Sequence, residues 1–175
     1  MYFRANAIEP AYLSVIFAQI ALENLSWNIL VERERIKKRK DFNGMSAPKR
    51  IRELLSWMGV SPDIPPELTD LRRVAPKEDG PQAIVQIRND VVHAPIKRRC
   101  STDVEHVYAI SQAAELSLYY VELALLRCMN YRGPYHNRMT GFAFVSENSP
   151  PTPSPRGADY FSPPMAPWAV DDRGS

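Results

Sequence analysis

Apolar residues recur along the first three quarters of the chain at steps of three and four, the spacing of helices rather than strands. Between Ala11 and about Glu34 there is neither proline nor glycine, and Leu13, Ile16, Phe17, Ile20, Leu25, Ile29 and Leu30 make a broad apolar surface. This predicts a long helix buried on most sides, with Pro10 in its first turn. Gln19, Glu23, Asn24 and Asn28 interrupt the run of roughly 20 apolar residues that a membrane span needs, so no span is expected. Glu23 and Asn24 need partners in such surroundings. One of them is expected to reach the Arg88 side chain, unless both face solvent or a loop.

Phe42-Asn43-Gly44 reads as a turn. Ser46 then caps a short amphipathic helix with Pro48 in its first turn, Ile51, Leu54, Leu55 and Met58 on its apolar face and Gly59 as its stop. The stretch 61–81 is proline-rich and irregular, with one short helix around Leu68 and Leu71. The next helix is expected from near Gln82, with Ile84, Ile87 and Val91 as its stripe. Pro95 disfavours helical geometry at Ala94, so this helix should end near His93. Thr102 and Glu105 form a capping box. Val107, Ile110, Ala114, Leu118, Val121, Leu125 and Cys128 follow as a long seam, with Glu105, Glu115 and Glu122 off it and Gly133-Pro134 as the end. Tyr119, Tyr120 and Tyr131 are expected as core or interface aromatics. The fold class is therefore all-α, a bundle of four to five helices over residues 6–141.

Composition refines this picture. The length of 175 residues suits one domain with its own core. Many of the 16 prolines fall between Pro150 and Pro167, so residues 142–175 read as a disordered Pro/Ser-rich tail, or as a docking peptide for an aromatic groove. A net charge of +2 sets up no strong global field, so affinity for nucleic acid must come from local clusters. Cys100 and Cys128 are the only cysteines and no secretory signal precedes them, which points to the cytoplasm. Two cysteines and three histidines without paired spacing make no zinc site. No metal, cofactor or membrane partner is expected.

Two basic runs stand out. Arg35 and Lys37 to Lys40 make either a solvated helix end or a contact for a phosphate backbone. Lys97, Arg98 and Arg99 follow the His93 segment directly and are the better candidates for binding RNA.

The chemistry concentrates where the helix ends at His93. Asn89 and His93 are four apart and share a face, whereas Arg88 lies more than a quarter turn away. Arg88 meets His93 only if the last turn bends or a second subunit contributes. In the bland alternative Arg88 holds a bundle contact, Asn89 satisfies a helix-end carbonyl and His93 is a buried, hydrogen-bonded histidine. His136, alone in a polar aromatic stretch, is assigned no role.

Arg88-Asn89-Asp90-Val91-Val92-His93 resembles the signature of HEPN domains, an arginine, a polar residue and a histidine with four residues between arginine and histidine. The helix order over roughly residues 6 to 140 is also similar to a HEPN bundle. The stretch Tyr131 to Arg138 looks like the segment closing that module in ApeA-type anti-phage proteins, whose larger N-terminal domain has no counterpart here. Many HEPN domains are metal-independent endoribonucleases of toxin–antitoxin, CRISPR and anti-phage systems, and they often pair so that two motifs face each other. The resemblance implies an endoribonuclease with Arg88, Asn89 and His93 at its catalytic site. It also implies RNA as substrate, a homodimer, and an antitoxin or sensor domain as a further partner. The other reading is a noncatalytic HEPN module that dimerises or binds RNA, part of a larger defence protein. Ala94-Pro95-Ile96 supply no tyrosine after His93, so regulation by modification of such a tyrosine is not expected.

Overall fold

A computed structural model describes residues 11–93, 104–131 and 138–139. Among them the chain is helical and holds no strand. The elements are α1 (Ala11–Trp27), a π-helical segment (Asn28–Arg33), α2 (Arg39–Asn43), α3 (Ala47–Met58), α4 (Thr69–Val74), α5 (Gly80–His93) and α6 (Val104–Cys128). The expected tail 142–175, the Thr102 cap and Gly133-Pro134 lie outside the described residues.

Helix α1 packs against α3, α5 and α6. It buries Val15, Ala18 and Leu22 together with Gln19 and Ser26. It is not covered on most sides as its composition suggested. Phe17 is 59% exposed and Ile20 48%, because its neighbours lie along the opposite face. The π segment follows. Glu34 N donates to Ile29 O across five residues, and the wider turn brings three consecutive side chains, Ile29, Leu30 and Val31, into the core. By length and composition alone the continuous helix Ala11–Arg33 could cross a bilayer. Here it supplies one wall of the bundle.

The expected turn at Phe42-Asn43 is instead the end of the short helix α2. Phe42 is buried edge-on against Trp27 at 5.4 Å, and that burial holds the helical turn together. Helix α3 follows its sequence pattern closely. Ser46 is its N-cap by backbone geometry, though its side chain makes no capping bond, and Pro48 sits in the first turn. Ile51, Leu54, Leu55 and Met58 are all buried. Gly59, at φ 74°, closes the helix in the left-handed conformation that favours glycine.

Helix α6 is long as expected, but its seam is shifted. Ala109, Ala113, Ser117, Tyr120 and Ala124 are buried, with Leu116 and Leu123, whereas Val107 and Leu125 are 54% and 46% exposed. Of the predicted seam Ala114 is buried and Ile110, Val121 and Cys128 are partly buried against the core, while the centre of the buried face lies about one residue earlier. Small residues let neighbouring helices approach closely, and a pattern read by side-chain size passes over them. The helix also stops before Gly133. Asn130 at φ 51° takes the left-handed position, Tyr131 N bonds Leu126 O and Asn130 N bonds Arg127 O, a Schellman closure.

The junction that positions α5 lies at Asp79-Gly80. Helix α5 begins at Gly80, not near Gln82, because Asp79 caps it: its carboxylate accepts from Gln82 N at 3.0 Å. The same carboxylate takes Arg52 of α3 at 2.9 Å through Nη2. Gly80 N donates to Pro62 O at 2.8 Å, and a Cβ there would collide with the Tyr120 hydroxyl and press on Leu116. Asp79→Ala should therefore cost about 1–2 kcal/mol from the cap alone. Thermal unfolding followed by circular dichroism checks this against Asp90→Ala, an exposed position expected to be neutral.

Candidate functional site

Gly80 sits beside Leu116 and Tyr120, and only ten residues join α5 to α6. If the two helices ran parallel, that connection would have to span about 40 Å, beyond its reach. They are therefore antiparallel, and α5 finishes roughly 20 Å from Gly80 beside the start of α6. At the other end Arg33 Nη1 donates to the Cys128 carbonyl at 3.2 Å, so α1 and α6 end side by side. The start of α1, the end of α5 and the start of α6 thus share one end of the bundle.

Within α5, Ile84, Val85 and Ile87 are buried and anchor the helix. Val91 is half-buried, at the fringe of that stripe. Arg88 is half-buried, while Asn89 and Asp90 are exposed. Arg88 Nη1 donates to Asn89 Oδ1 at 3.0 Å, so these two predicted site residues do meet. Among the described residues Arg88 has no carboxylate partner. His93 is the last residue of α5; its side chain, like Lys97, Arg98, Arg99 and His136 as a whole, lies outside the described residues.

The expected link from Glu23 or Asn24 to Arg88 is not made. Glu23 instead accepts from Arg50 Nη1 at 3.1 Å and from Gln19 Nε2 at 3.0 Å, while Asn24 is exposed. Helix α3 packs on α1 and brings Arg50 to the carboxylate. Arg50 is held further by the ring of Phe42 at 5.1 Å and by Asn43 O at 3.3 Å. Arg50 Nε and Gln19 Oε1 are buried without a partner. Removing the carboxylate would isolate the Arg50 guanidinium further.

Other polar pairs had no signal in the pattern. Arg138 reaches both Glu115 (2.8 Å) and Glu122 from beyond the end of α6. Gln112 of α6 accepts from Leu71 N at 2.8 Å and donates to Asp70 at 3.0 Å, which fastens α4. Hydrogen bonds to Glu122 and Glu115 raise the Arg138 pKa above its ordinary value. The three tyrosines divide. Tyr120 is buried and donates toward Pro62 O at 3.4 Å, and burial pushes its phenol pKa upward. Tyr119 is partly buried against the core, and Tyr131 is 37% exposed. No group of three or more metal-ligating side chains occurs among the described residues.

Residues 1–149 match the family model of the YopA C-terminal domain. The chain belongs to that family. It is 27% identical over 139 residues to the SPbeta prophage-derived uncharacterized protein YopA of Bacillus subtilis (strain 168). That alignment covers 79% of this chain and 30% of the relative's length. No solved structure matches. YopA C-terminal domain membership fixes kinship and carries no chemistry of its own.

The geometry separates two kinds of arginine. Glu23→Ala should destabilise the fold by about 1 kcal/mol, because the part-buried Arg50 guanidinium loses its charged partner. Arg88→Ala should stay within about 0.5 kcal/mol of the parent, as at other positions away from core contacts. Urea unfolding midpoints of the two variants measure the contrast.

Proposed function

We propose that this chain is a metal-independent endoribonuclease of the HEPN type, acting in the cytosol in anti-phage defence or toxin-like growth arrest. The observation that carries the reading is Arg88. Its guanidinium stands at the edge of the core on a neutral amide, with no carboxylate among the described residues to occupy it. Such a group is available for a phosphate. It lies five positions from His93, at the end of the same helix.

In this reading an imidazole titrating near neutrality moves a proton between the RNA 2′-hydroxyl and the leaving 5′-oxygen. Arg88 holds the phosphoryl oxygens as charge grows. Asn89 orients Arg88 through the bond between them. Lys97, Arg98 and Arg99 hold the strand on either side. Attack by the 2′-oxygen yields a 2′,3′-cyclic phosphate and a 5′-hydroxyl. A HEPN-like pairing of two copies would bring a second motif to the same cleft. The antitoxin or sensor expected from the resemblance remains part of this proposal. The longer relative leaves room for a further domain.

One observation favours the alternative of a noncatalytic pairing or RNA-binding module. Tyr12, Phe17, Val107 and Tyr108 are all exposed and lie toward the bundle end where α5 finishes. An apolar surface of that kind serves association without chemistry.

Incubation of the purified protein with mixed RNA in EDTA decides between them. Cleavage is expected in the parent and should fall by about 100-fold or more in His93→Ala and in Arg88→Ala. Cleavage that persists in His93→Ala refutes the assignment of His93. Loss of all cleavage on adding the chelator points to a metal enzyme. Intact RNA bound with steep salt dependence selects the noncatalytic module.

A further inference from the structure

The opposite end of the bundle carries a second surface, independent of the nuclease reading. After the π segment the chain turns through Arg35, whose φ of 54° lies in the left-handed region that penalises a side chain. Ile36 follows at 53% exposure, and Lys37 N donates to Leu30 O at 3.0 Å to hold the base of the loop. The bond from Arg33 to the Cys128 carbonyl ties this loop to the closing turn of α6. There Met129 is 68% exposed and Leu125, one helical turn earlier, 46%.

The loop that carries Ile36 is rich in cations. Arg33, Lys37 and Arg39 are paired with Glu34, Glu53 and Glu32. Arg35, Lys38 and Lys40 are exposed and make no ion pair among the described residues; Asp41 is the one further carboxylate in the run.

We propose that this end docks on an anionic lipid surface. Ile36, Leu125 and Met129 enter the boundary between headgroups and acyl chains, and Arg35, Lys38 and Lys40 lie against the lipid phosphates. A nucleic-acid backbone would use the cations but gains nothing from three exposed apolar side chains at the same end of the bundle. A bilayer uses both. The bent backbone fits the same purpose. Glycine would relieve Arg35 of its conformational penalty; the arginine puts a cation next to the exposed Ile36. The proposal departs from the expectation of no membrane partner, and it concerns contact with one leaflet and no span.

The test is co-sedimentation of the full chain with vesicles of phosphatidylcholine alone, or with roughly one third phosphatidylglycerol. Binding is expected only to the anionic vesicles. The double variant Ile36→Ser/Met129→Ser should bind them about tenfold more weakly. Arg35→Gly should bind about fivefold more weakly while melting no lower than the parent. Circular dichroism verifies that each variant is folded. Absence of binding to anionic vesicles overturns the proposal, as does a double variant that binds like the parent. Binding of polyuridine RNA through Arg35, Lys38 and Lys40 by a protein that ignores vesicles overturns it in favour of RNA.

Discussion

The structure depends on a steric constraint at Gly80. A side chain there would displace the Tyr120 hydroxyl and Leu116, which are themselves buried. Only glycine lets α5 start against the middle of α6. Three polar contacts then fix the direction in which it leaves. Gly80 N holds Pro62 O, Asp79 caps the first turn, and the same Asp79 carboxylate anchors Arg52 on α3. Burial keeps the Tyr120 phenol protonated, so its donor toward Pro62 O survives at any ordinary pH. A helix aimed in this way reaches its last turn at the bundle end, and Arg88 and His93 are carried there with it.

Local pattern was enough where local physics decides. Helix α3 has a polar cap position, a proline in the first turn, four apolar residues on one face and a glycine stop, and each has the place its chemistry dictates. Helix α5 is continuous from Gly80 through His93, and the Pro95 stop expected after it lies outside the described residues. The start of α5 was misplaced by two residues because glycine and proline were read as breakers. Asp79 ahead of them was the signal, a capping carboxylate followed by a proline allowed in the first turn.

Misreadings elsewhere share one cause, which is that size stood in for burial. Val107 and Leu125 outweigh Ala109 and Ala124 in any hydrophobic count, yet the alanines are buried because helices approach them most closely. Phe17 and Ile20 looked like core for the same reason. Long-range polar pairs were beyond reach altogether. Glu23 has several cations at plausible distances in the chain, and only the packing of α1 on α3 selects Arg50 over Arg88. For the candidate site this selection matters. Glu23 is taken by Arg50, and among the described residues Arg88 is left with the Asn89 amide.

The two ends of the bundle therefore differ in kind. Where α5 finishes, Arg88, which has no carboxylate partner among the described residues, and His93 share a helix end with exposed aromatic neighbours. Where the π segment and α6 finish, Arg33 donates to the Cys128 carbonyl, and the cations of the following loop share that end with three exposed apolar side chains. About 30 Å of helix separates them. At that distance a surface charge at one end is screened from the other in physiological salt. Neither surface can act as an electrostatic extension of the other. Under the two proposals, each surface would draw its partner by its own chemistry.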